Sequence, residues 1–334
     1  MGEKDRVKKV VFFSNLKNLH DAVDNFNIQS FENQEVPVKL HMGEEKNKFF
    51  SRPDFVKHAI DELKKVNAKP YLFDTTVAYS SLRSAASSYK KLALKHGFTM
   101  NNVGCNIIID DEGIPVKIEN REYMVAKHIF NSTDIFAVTH VKAHVATGMG
   151  GAIKNFGMGG VIKETKKKMH HGSKPIYQKD VCTFCGICAE VCPFNALTVK
   201  NNSWSLEKKY CFGCGVCVEN CTSKALKFED SNLQFVLSCA AKACVQDKNV
   251  IYLNELKRIA DSCDCDSYAK NIICPDIGYL VSDDIVAADK ASLDLINEIK
   301  KDIFEKTTYV NPFKQIEFGE ETGLGSSNYK LIEI

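Results

Sequence analysis

Short apolar runs alternate with segments of helical periodicity in the first half of the chain. Pro53–Val66 repeats apolar residues at helical spacing and begins with a proline, which suits a first helical turn. Ser81–His96 predicts a second helix, because Gly97 can end it in the left-handed conformation. The predicted strands are Val10–Phe13, Val36–Leu40, Tyr71–Phe73, Cys105–Asp110 and Ile135–Thr139. The fold class that follows is α/β, with a mostly parallel sheet and helices on both faces.

A cysteine-rich segment, Pro175–Asp230, interrupts this alternation. It contains an internal repeat, since Gln178–Leu197 and Lys208–Leu226 each carry four cysteines with the spacing C-x2-C-x2-C-x3-C and then a short apolar end. This is the spacing of bacterial ferredoxins that bind two [4Fe–4S] clusters, in which the fourth cysteine of each run ligates the other cluster. The repeat therefore predicts a small ferredoxin-like unit of the α+β type.

The spacing also predicts the ligands of each cluster. The first cluster is assigned to Cys182, Cys185, Cys188 and Cys221, and the second to Cys211, Cys214, Cys217 and Cys192. Zinc is less favoured, because zinc sites usually use four ligands in cysteine pairs rather than two runs of four. Disulfides are less favoured because they need an oxidising compartment.

The α/β pattern resumes after the cysteine-rich segment. The elements predicted there are the helices Leu233–Val245 and Ala287–Ile299 and the strand Val250–Leu253. We therefore predict a discontinuous α/β domain, residues 1–175 and 231–334, into which the ferredoxin-like domain, residues 176–230, is inserted. The Gly/Ser/Glu-rich stretch Gly319–Asn328 is expected to be mobile.

A second candidate site begins where the predicted strand Ile135–Thr139 ends. Ligands of open α/β sheets bind at the carboxyl ends of strands, and glycines let backbone N–H groups approach an anion closely. The residues predicted to cradle a ligand or cofactor are Gly148, Gly150, Gly151 and Asn155, and the candidate catalytic groups are Lys142, His144 and Lys154. The segment matches neither a Walker A loop nor a Rossmann fingerprint. The alternative is a glycine-rich turn that packs a helix on the sheet beside solvated lysines.

Further polar residues leave several interpretations open. Cys263, Cys265 and Cys274 could hold a metal ion with one further ligand, act as redox-active thiols, or be buried thiols beside solvated aspartates. His170 and His171 follow a lysine run and are expected in a solvated loop. Some of the three aspartates of the second half are expected to reach the glycine-rich site as metal-binding or proton-handling groups; these are Asp276, Asp284 and Asp289.

Composition narrows the compartment and the partners. The chain has 334 residues and a net charge of +2, which argues against a general role in binding nucleic acid or membrane surfaces. The apolar run Val10–Phe13 after the charged Met1–Lys9 is too short for a secretory signal, and no apolar run is long enough for a membrane span. We expect a cytoplasmic protein of an anaerobic or strongly reducing host.

The chain resembles, over nearly its whole length, a family catalogued as domain of unknown function 362 and often labelled "iron–sulfur centre protein". The resemblance rests on Lys142–Gly159, the cysteine repeat, Cys263–Cys265 and Pro275–Asn297, although Ile285 stands where the family usually has proline. It implies the fold and the clusters. It leaves the reaction open, since no general reaction is established for the family.

These features favour an iron–sulfur oxidoreductase that passes single low-potential electrons from two [4Fe–4S] clusters to a substrate or cofactor held by residues 142–160. We expect a redox partner protein and allow for a small-molecule substrate. One alternative is an electron carrier or adaptor that docks on a partner oxidoreductase. A second is a sulfur-transfer or cofactor-assembly protein that uses Cys263, Cys265 and Cys274. Whether a flavin or a further metal is bound stays open.

Overall fold

A large sheet runs through the protein, whose computed structural model describes residues 7–334. Most of the charged N-terminus considered above, Met1–Arg6, lies outside the described residues. The strands, in chain order, are β1 (Lys8–Phe13), β2 (Glu35–Lys39), β3 (Lys69–Thr75), β4 (Ile107–Asp110), β5 (Gly113–Ile118), β6 (Arg121–Ala126), β7 (Asp134–His140), β8 (Lys142–His144), β9 (Gly148–Gly150), β10 (Pro175–Tyr177), β11 (Leu197–Lys200), β12 (Ser203–Leu206), β13 (Leu226–Phe228), β14 (Asn249–Leu256), β15 (Gly278–Ser282) and β16 (Tyr329–Glu333).

The helices are mostly short and connect these strands. In chain order they are α1 (Leu19–Val23), α2 (Pro53–Lys65), α3 (Ala86–Lys95), α4 (Met100–Val103), α5 (Lys127–Asn131), α6 (Ala152–Gly159), α7 (Lys163–Gly172), α8 (Ile187–Glu190), α9 (Val216–Glu219), α10 (Leu233–Val245), α11 (Ile285–Ile299), α12 (Ile303–Thr308) and α13 (Phe313–Glu321). Within residues 7–334 none of them is long and apolar enough to cross a membrane.

The main sheet has eight strands in the order β16-β1-β15-β14-β7-β2-β3-β4. Neighbouring strands are parallel except where β15 pairs with β1 and with β14. Two-stranded antiparallel pairs form separately, β5 with β6, β8 with β9, β10 with β13 and β11 with β12. The predicted α/β class with a mostly parallel sheet is therefore confirmed.

Both faces of the sheet are buried. Because successive side chains of a strand point to opposite faces, each central strand contributes to two hydrophobic cores. In β7, Ile135 and Ala137 belong to one hydrophobic core, and Phe136 and Val138 belong to the other. The first core contains α6, α10 and α11, and the second contains α1, α2 and α3. This double burial explains why the strands read as continuous apolar runs in the sequence.

Strands from before and after the cysteine-rich segment share this one sheet. β14, β15 and β16 follow the segment in sequence, and β14 pairs with β7 while β15 and β16 flank β1. The segment itself contributes only β10 to β13, and β10 pairs with β13 at its two ends. The domain boundaries at residues 175 and 231 stay a prediction.

The C-terminal part is ordered, contrary to the expectation for Gly319–Asn328. Its first residues finish α13, and the backbone N–H of Ser326 donates to the buried carboxylate of Asp284. β16 then pairs in parallel with β1 along the edge of the sheet. A composition rich in glycine and serine predicted mobility here, but the tertiary hydrogen bonds and strand pairing fix the segment.

A buried carboxylate joins the two halves of the chain at the start of α6. Asp289, on α11, accepts hydrogen bonds from the backbone N–H groups of Ala152 at 2.7 Å and Ile153 at 2.9 Å. These N–H groups have no partner within their own helix, so the carboxylate caps α6 from outside. Only glycine fits at position 151, since a Cβ there would lie 2.5 Å from the Asp289 oxygens.

This cap predicts a large effect on stability. Asp289→Ala should lower the free energy of unfolding by about 2–4 kcal/mol, because two buried N–H donors lose their acceptor. The control is Asp61→Ala, which breaks an exposed pair with Lys57 and should change stability by less than about 0.5 kcal/mol. Anaerobic urea denaturation measures both values. Equal effects of the two substitutions would contradict the capping role.

Candidate active site at the carboxyl edge of the sheet

A cavity of about 370 Å³ lies at the carboxyl ends of the parallel strands β2, β3 and β7. Lys39 ends β2, Asp74 lies near the end of β3, and Thr139 and His140 end β7; all four line the cavity. Such an edge is where open α/β sheets bind ligands. A cavity is thus present where the sequence predicts a ligand, while the ligand itself stays a prediction.

One wall of the cavity is a buried ionic network around Asp74. Its carboxylate accepts from Lys39 Nζ at 3.0 Å, from Arg83 Nη2 at 3.1 Å and from the Tyr89 hydroxyl at 2.5 Å. Burial alone raises the pKa of Asp74, but the charges of Lys39 and Arg83 outweigh it and hold that pKa below its usual range. Arg83 also pairs with the buried Glu44 at 3.3 Å. Carboxylates therefore neutralise both cations of this wall.

A second network fixes Lys142 and the loop that follows β14. Lys142 Nζ pairs with Asp264 Oδ2 at 2.9 Å and donates to the carbonyl of His140 at 2.6 Å. His140 Nδ1 meets the same carboxylate at 2.8 Å, and its Nε2 donates to the carbonyl of Lys257 at 2.9 Å. Lys142 is therefore held in the cavity wall by groups of the protein itself.

Lys154 faces two cysteines and a histidine. Its Nζ lies 3.6 Å from Cys263 Sγ, and the potential ligand atoms of His144, Cys263 and Cys265 all lie within 4.8 Å of one another. Burial alone raises the pKa of Cys263, but the hydrogen bond with Cys265 and the charge of Lys154 outweigh it and lower that pKa well below its usual value. Burial, assisted by Lys154, lowers the pKa of His144, so its imidazole is neutral.

Lys166 is a further cation of the cavity wall. Its Nζ donates to the Thr75 hydroxyl at 2.7 Å and to the Thr76 carbonyl at 2.5 Å. Burial lowers the pKa of Lys166 to about 7. No carboxylate of residues 7–334 lies within ion-pair distance of Lys166 or Lys154. Within the described residues, these two buried lysines of the cavity therefore have no carboxylate partner, and Lys154 faces the Cys263 sulfur instead.

The predicted ligand cradle is only partly brought together. Gly150, Gly151 and Asn155 line the cavity, but Gly148 does not, because it packs against the backbone of Val310 and Pro312. The Asn155 amide is used internally, since it accepts from Lys39 Nζ and donates to Val138 and Thr139. The first N–H groups of α6 are bound to Asp289. Backbone N–H groups of this helix start are therefore not free for an anion, and the lysine side chains supply the positive charge instead.

The three aspartates of the second half do not line the cavity, which corrects the expectation. Asp289 caps α6, and Asp284 caps α11 by accepting from the backbone of Val286 and Ala287. Asp276 accepts from the backbone N–H of Arg258. Each carboxylate is used as a structural hydrogen-bond acceptor.

The opposite side of the cavity is formed by α7 and the cysteine-rich segment. His170, Phe212 and Cys211 line it, and the rings of His170 and Phe212 lie 4.2 Å apart. Gly213 permits this approach, because a Cβ there would lie 1.8 Å from the His170 carbonyl oxygen. Both histidines thus belong to a helix and line the cavity, which corrects the expected solvated loop, although His171 is exposed.

The eight cysteines of the repeat line two small cavities in the groups that the spacing predicts. Cys182, Cys185, Cys188 and Cys221 line one, and Cys192, Cys211, Cys214 and Cys217 line the other. All eight are free thiols. Burial and the neighbouring thiols raise the pKa of Cys214 to about 11, so a cation is needed to hold this side chain as a thiolate.

Hydrogen-bond donors surround these cysteines in a way that suits thiolate ligands. The backbone N–H groups of Phe184 and Ala196 donate to Cys182 Sγ at 3.4 Å and to Cys192 Sγ at 3.3 Å. In the described chain, the Tyr177 hydroxyl and the Trp204 indole N–H are buried without a partner and border the first of the two cavities. Metal-bound sulfur would supply acceptors for such donors.

The remaining cysteines divide into two kinds. Cys263 and Cys265 face the large cavity. Cys274 is 2% exposed and packs in the first hydrophobic core, as Cys239 and Cys244 do. Of the predicted group of three cysteines, a pair therefore lies at the cavity, and His144 is a further potential ligand beside it. Cys105 is buried in the second core, as expected for a small hydrophobic residue.

Sequence reasoning missed the buried charges. Lys39, Arg83 and Lys166 line the cavity but were not predicted as site residues. A lysine at the end of the apolar run Val36–Leu40 was a usable signal, because an unpaired charge is costly in a buried strand. Arg83 and Lys166 lie in polar segments that give no such signal.

Comparisons with known proteins give a family match and two distant structures. The family described as "Domain of unknown function (DUF362)" matches residues 36–294. Among curated proteins, none is significantly similar in sequence. The lactate racemase apoprotein from Thermoanaerobacterium thermosaccharolyticum is 10% identical with a TM-score of 0.39, and the match covers 76% of this chain and 52% of that one. A protein from Thermotoga maritima is 10% identical with a TM-score of 0.43, over 89% of this chain and 59% of its own. The chain thus spans little more than half the length of these two proteins.

Lys166 is predicted to make stability depend on pH. Its pKa of about 7 in the folded protein lies below the value of 10.5 for a free lysine. At pH values between these two, the side chain is therefore mainly protonated only in the unfolded chain. The free energy of unfolding should therefore rise with pH in this window, by at most about 1.4 kcal/mol per pH unit from this group. Lys166→Met should remove that component.

Anaerobic denaturation at roughly pH 7, 8 and 9 measures this effect. The stability gained by Lys166→Met over the wild type should shrink as pH rises. The control is Lys167→Met, at an exposed neighbour on the same helix, which should follow the wild type. A difference between Lys166→Met and the wild type that is constant with pH would contradict the assignment.

Proposed function

Since the chain belongs to the DUF362 family, whose description names no reaction, we propose a function from the cavity and the cysteine repeat. The protein is an iron–sulfur oxidoreductase that passes single low-potential electrons to an anionic small molecule bound at the carboxyl edge of the sheet. Two groups of four cysteines would hold two [4Fe–4S] clusters, Cys182, Cys185, Cys188 and Cys221 in one and Cys192, Cys211, Cys214 and Cys217 in the other. When bound, such clusters supply single electrons at low potential.

One observation carries the proposal: the large cavity extends from the cysteine repeat to the glycine-rich segment. Cys211, which belongs to the second cysteine group, lines the cavity on one side, and Lys154 lines it on another. A molecule bound beside Lys154 therefore shares one cavity with a predicted cluster ligand. A simple electron carrier has no use for such a cavity, so the arrangement supports an enzyme over a carrier.

The charges of the cavity support an anionic substrate. Lys39, Arg83 and Lys142 have carboxylate partners, whereas Lys154 and Lys166 have none within the described residues. A phosphate or carboxylate group of a ligand would supply the missing negative charge through charge-assisted hydrogen bonds. Lys154 would hold this group and could transfer a proton to it.

The surface near the first cysteine group supports a redox partner protein. Cys185 is exposed, and Val181, beside Cys182, exposes about half of its side chain. A partner that docks here would meet the first cluster, while the second adjoins the cavity.

The first test concerns the clusters. Protein purified without oxygen should contain about eight irons and eight acid-labile sulfides per chain. Cys185→Ala should lose the signal of one centre and keep the other, because Cys185 lines only one of the two small cavities. Cys105→Ala, at a buried thiol outside the repeat, is the control. Stoichiometric zinc without sulfide would refute the assignment.

The second test concerns the anion site. Lys154→Met should weaken binding of phosphate, sulfate or small dicarboxylates by about 10-fold to 100-fold, because one charge-assisted hydrogen bond is lost. Anaerobic isothermal titration measures the affinity, and iron and sulfide content should not change. The control is Lys168→Met, whose side chain is 66% exposed on α7. If no anion binds the wild type, or if Lys154→Met binds as tightly, the substrate class is wrong.

A further inference from the structure

A further group of potential metal ligands lies inside the cavity, apart from the eight cysteines of the repeat. His144, Cys263 and Cys265 bring one potential ligand atom each to within 4.8 Å of the others. His144 and Cys263 are buried, and all three residues line the cavity. Two sulfurs and one imidazole nitrogen are the donors that a divalent ion of the zinc type prefers.

The spacing of these atoms suits one shared ion. Zinc binds sulfur at about 2.3 Å and nitrogen at about 2.0–2.1 Å, so two tetrahedral ligands of one ion lie roughly 3.5–3.8 Å apart. Ligand atoms within 4.8 Å of one another reach that separation through small side-chain rotations. Among the described residues only three protein ligands converge here, so the group differs from a closed structural zinc site, which has four.

The hydrogen bonds of His144 suit a metal ligand. His144 Nδ1 accepts from the backbone N–H of Ala146 at 3.2 Å, and the Thr147 hydroxyl, which donates to the carbonyl of Met149 at 2.9 Å, lies 2.9 Å from the same nitrogen. With Nδ1 held by these two groups, Nε2 is the ring nitrogen left for a metal ion, which would replace the proton there. Histidine ligands are generally oriented by such a partner on the other ring nitrogen.

The loop that carries the two cysteines is fixed before any metal binds. Asp264, between them, is held by His140 and Lys142. The Asn47 side chain donates to the backbone carbonyls of Cys263 at 3.3 Å and Asp266 at 2.8 Å. A fixed loop reduces the entropy lost when both sulfurs bind one ion.

We propose that His144, Cys263 and Cys265 bind one divalent transition-metal ion of the zinc type, with a fourth position open to the cavity. Two thiolates neutralise the two charges of the ion, so Lys154 remains a free cation beside it. A site with three protein ligands and one open position is the arrangement of catalytic metal centres rather than structural ones. The site uses none of the repeat cysteines, so it does not depend on the iron–sulfur assignment.

The experiment uses the whole protein, purified without oxygen, with Zn²⁺ as the probe. Iron, sulfide and zinc are measured on the same sample, and affinity is measured by competition with a chromogenic chelator. We expect one zinc per chain with a Kd below about 1 µM, and no loss of iron. X-ray absorption at the zinc edge should report two sulfur neighbours at about 2.3 Å together with lighter atoms.

Variants of single residues locate the ion. Cys263→Ala, Cys265→Ala and His144→Ala should each weaken zinc binding by more than about 100-fold, since each removes a direct ligand. Thr147→Val should weaken it by about 10-fold, the effect expected for a residue that only orients a ligand. Cys274→Ala is the matched control, because that thiol is equally buried but packs in the hydrophobic core.

The outcomes separate this proposal from the cluster assignment. Zinc with four sulfur neighbours, or zinc uptake accompanied by loss of iron, would place the ion at the cysteine repeat. Either result would overturn this proposal without refuting the cluster assignment. Unchanged zinc affinity in Cys263→Ala and Cys265→Ala, or equal loss in Cys274→Ala, would also overturn it. If one alanine variant does not fold, as judged by lost iron and sulfide, the other variants and Thr147→Val still decide.

Discussion

The geometry of the cavity depends on the carboxylate of Asp289. By accepting the first N–H groups of α6, it fixes that helix against α11 and sets where Lys154 and Asn155 stand at the end of β7. The same contact removes the helix start as an anion site. The electrostatics of the cavity therefore rest on long cationic side chains, which can adjust to a ligand, and not on a rigid cradle of backbone dipoles.

Local patterns predicted most strands of the large sheet, because the alternation of a strand depends on residues close in sequence. The grouping of the cysteines came instead from the spacing of the whole repeat, in which the fourth cysteine of each run joins the other group. The helix Leu233–Val245 was predicted with its observed bounds, and the apolar runs became β1, β2, β3, β4, β7 and β14 with small differences at their ends. β16 was missed because it is half-exposed, and β15 was missed although its apolar run, Tyr279–Val281, lies between Gly278 and Asp283. The hairpin β5–β6 was missed for the same reason as β16.

The site could be predicted only where one segment supplies it. Lys142, His144 and Lys154 were found because they lie in one glycine-rich stretch. The partners that define their chemistry come from elsewhere: Cys263 follows β14, and β14 adjoins β7 only in the folded sheet. The aspartates were misassigned because a buried capping carboxylate and a catalytic one look alike in sequence, and only their hydrogen bonds distinguish them.

The pairing of β10 with β13 has a consequence for how such a protein can be assembled. Pro175 and Phe228 are opposite each other in that pair, so the cysteine-rich segment leaves and re-enters the α/β body at neighbouring points. For the surrounding chain it acts as a surface loop, and the entropy of closing a loop grows only slowly with its length. The whole cysteine-rich segment can therefore be gained, lost or exchanged at this position as a single unit, without re-routing any strand of the large sheet.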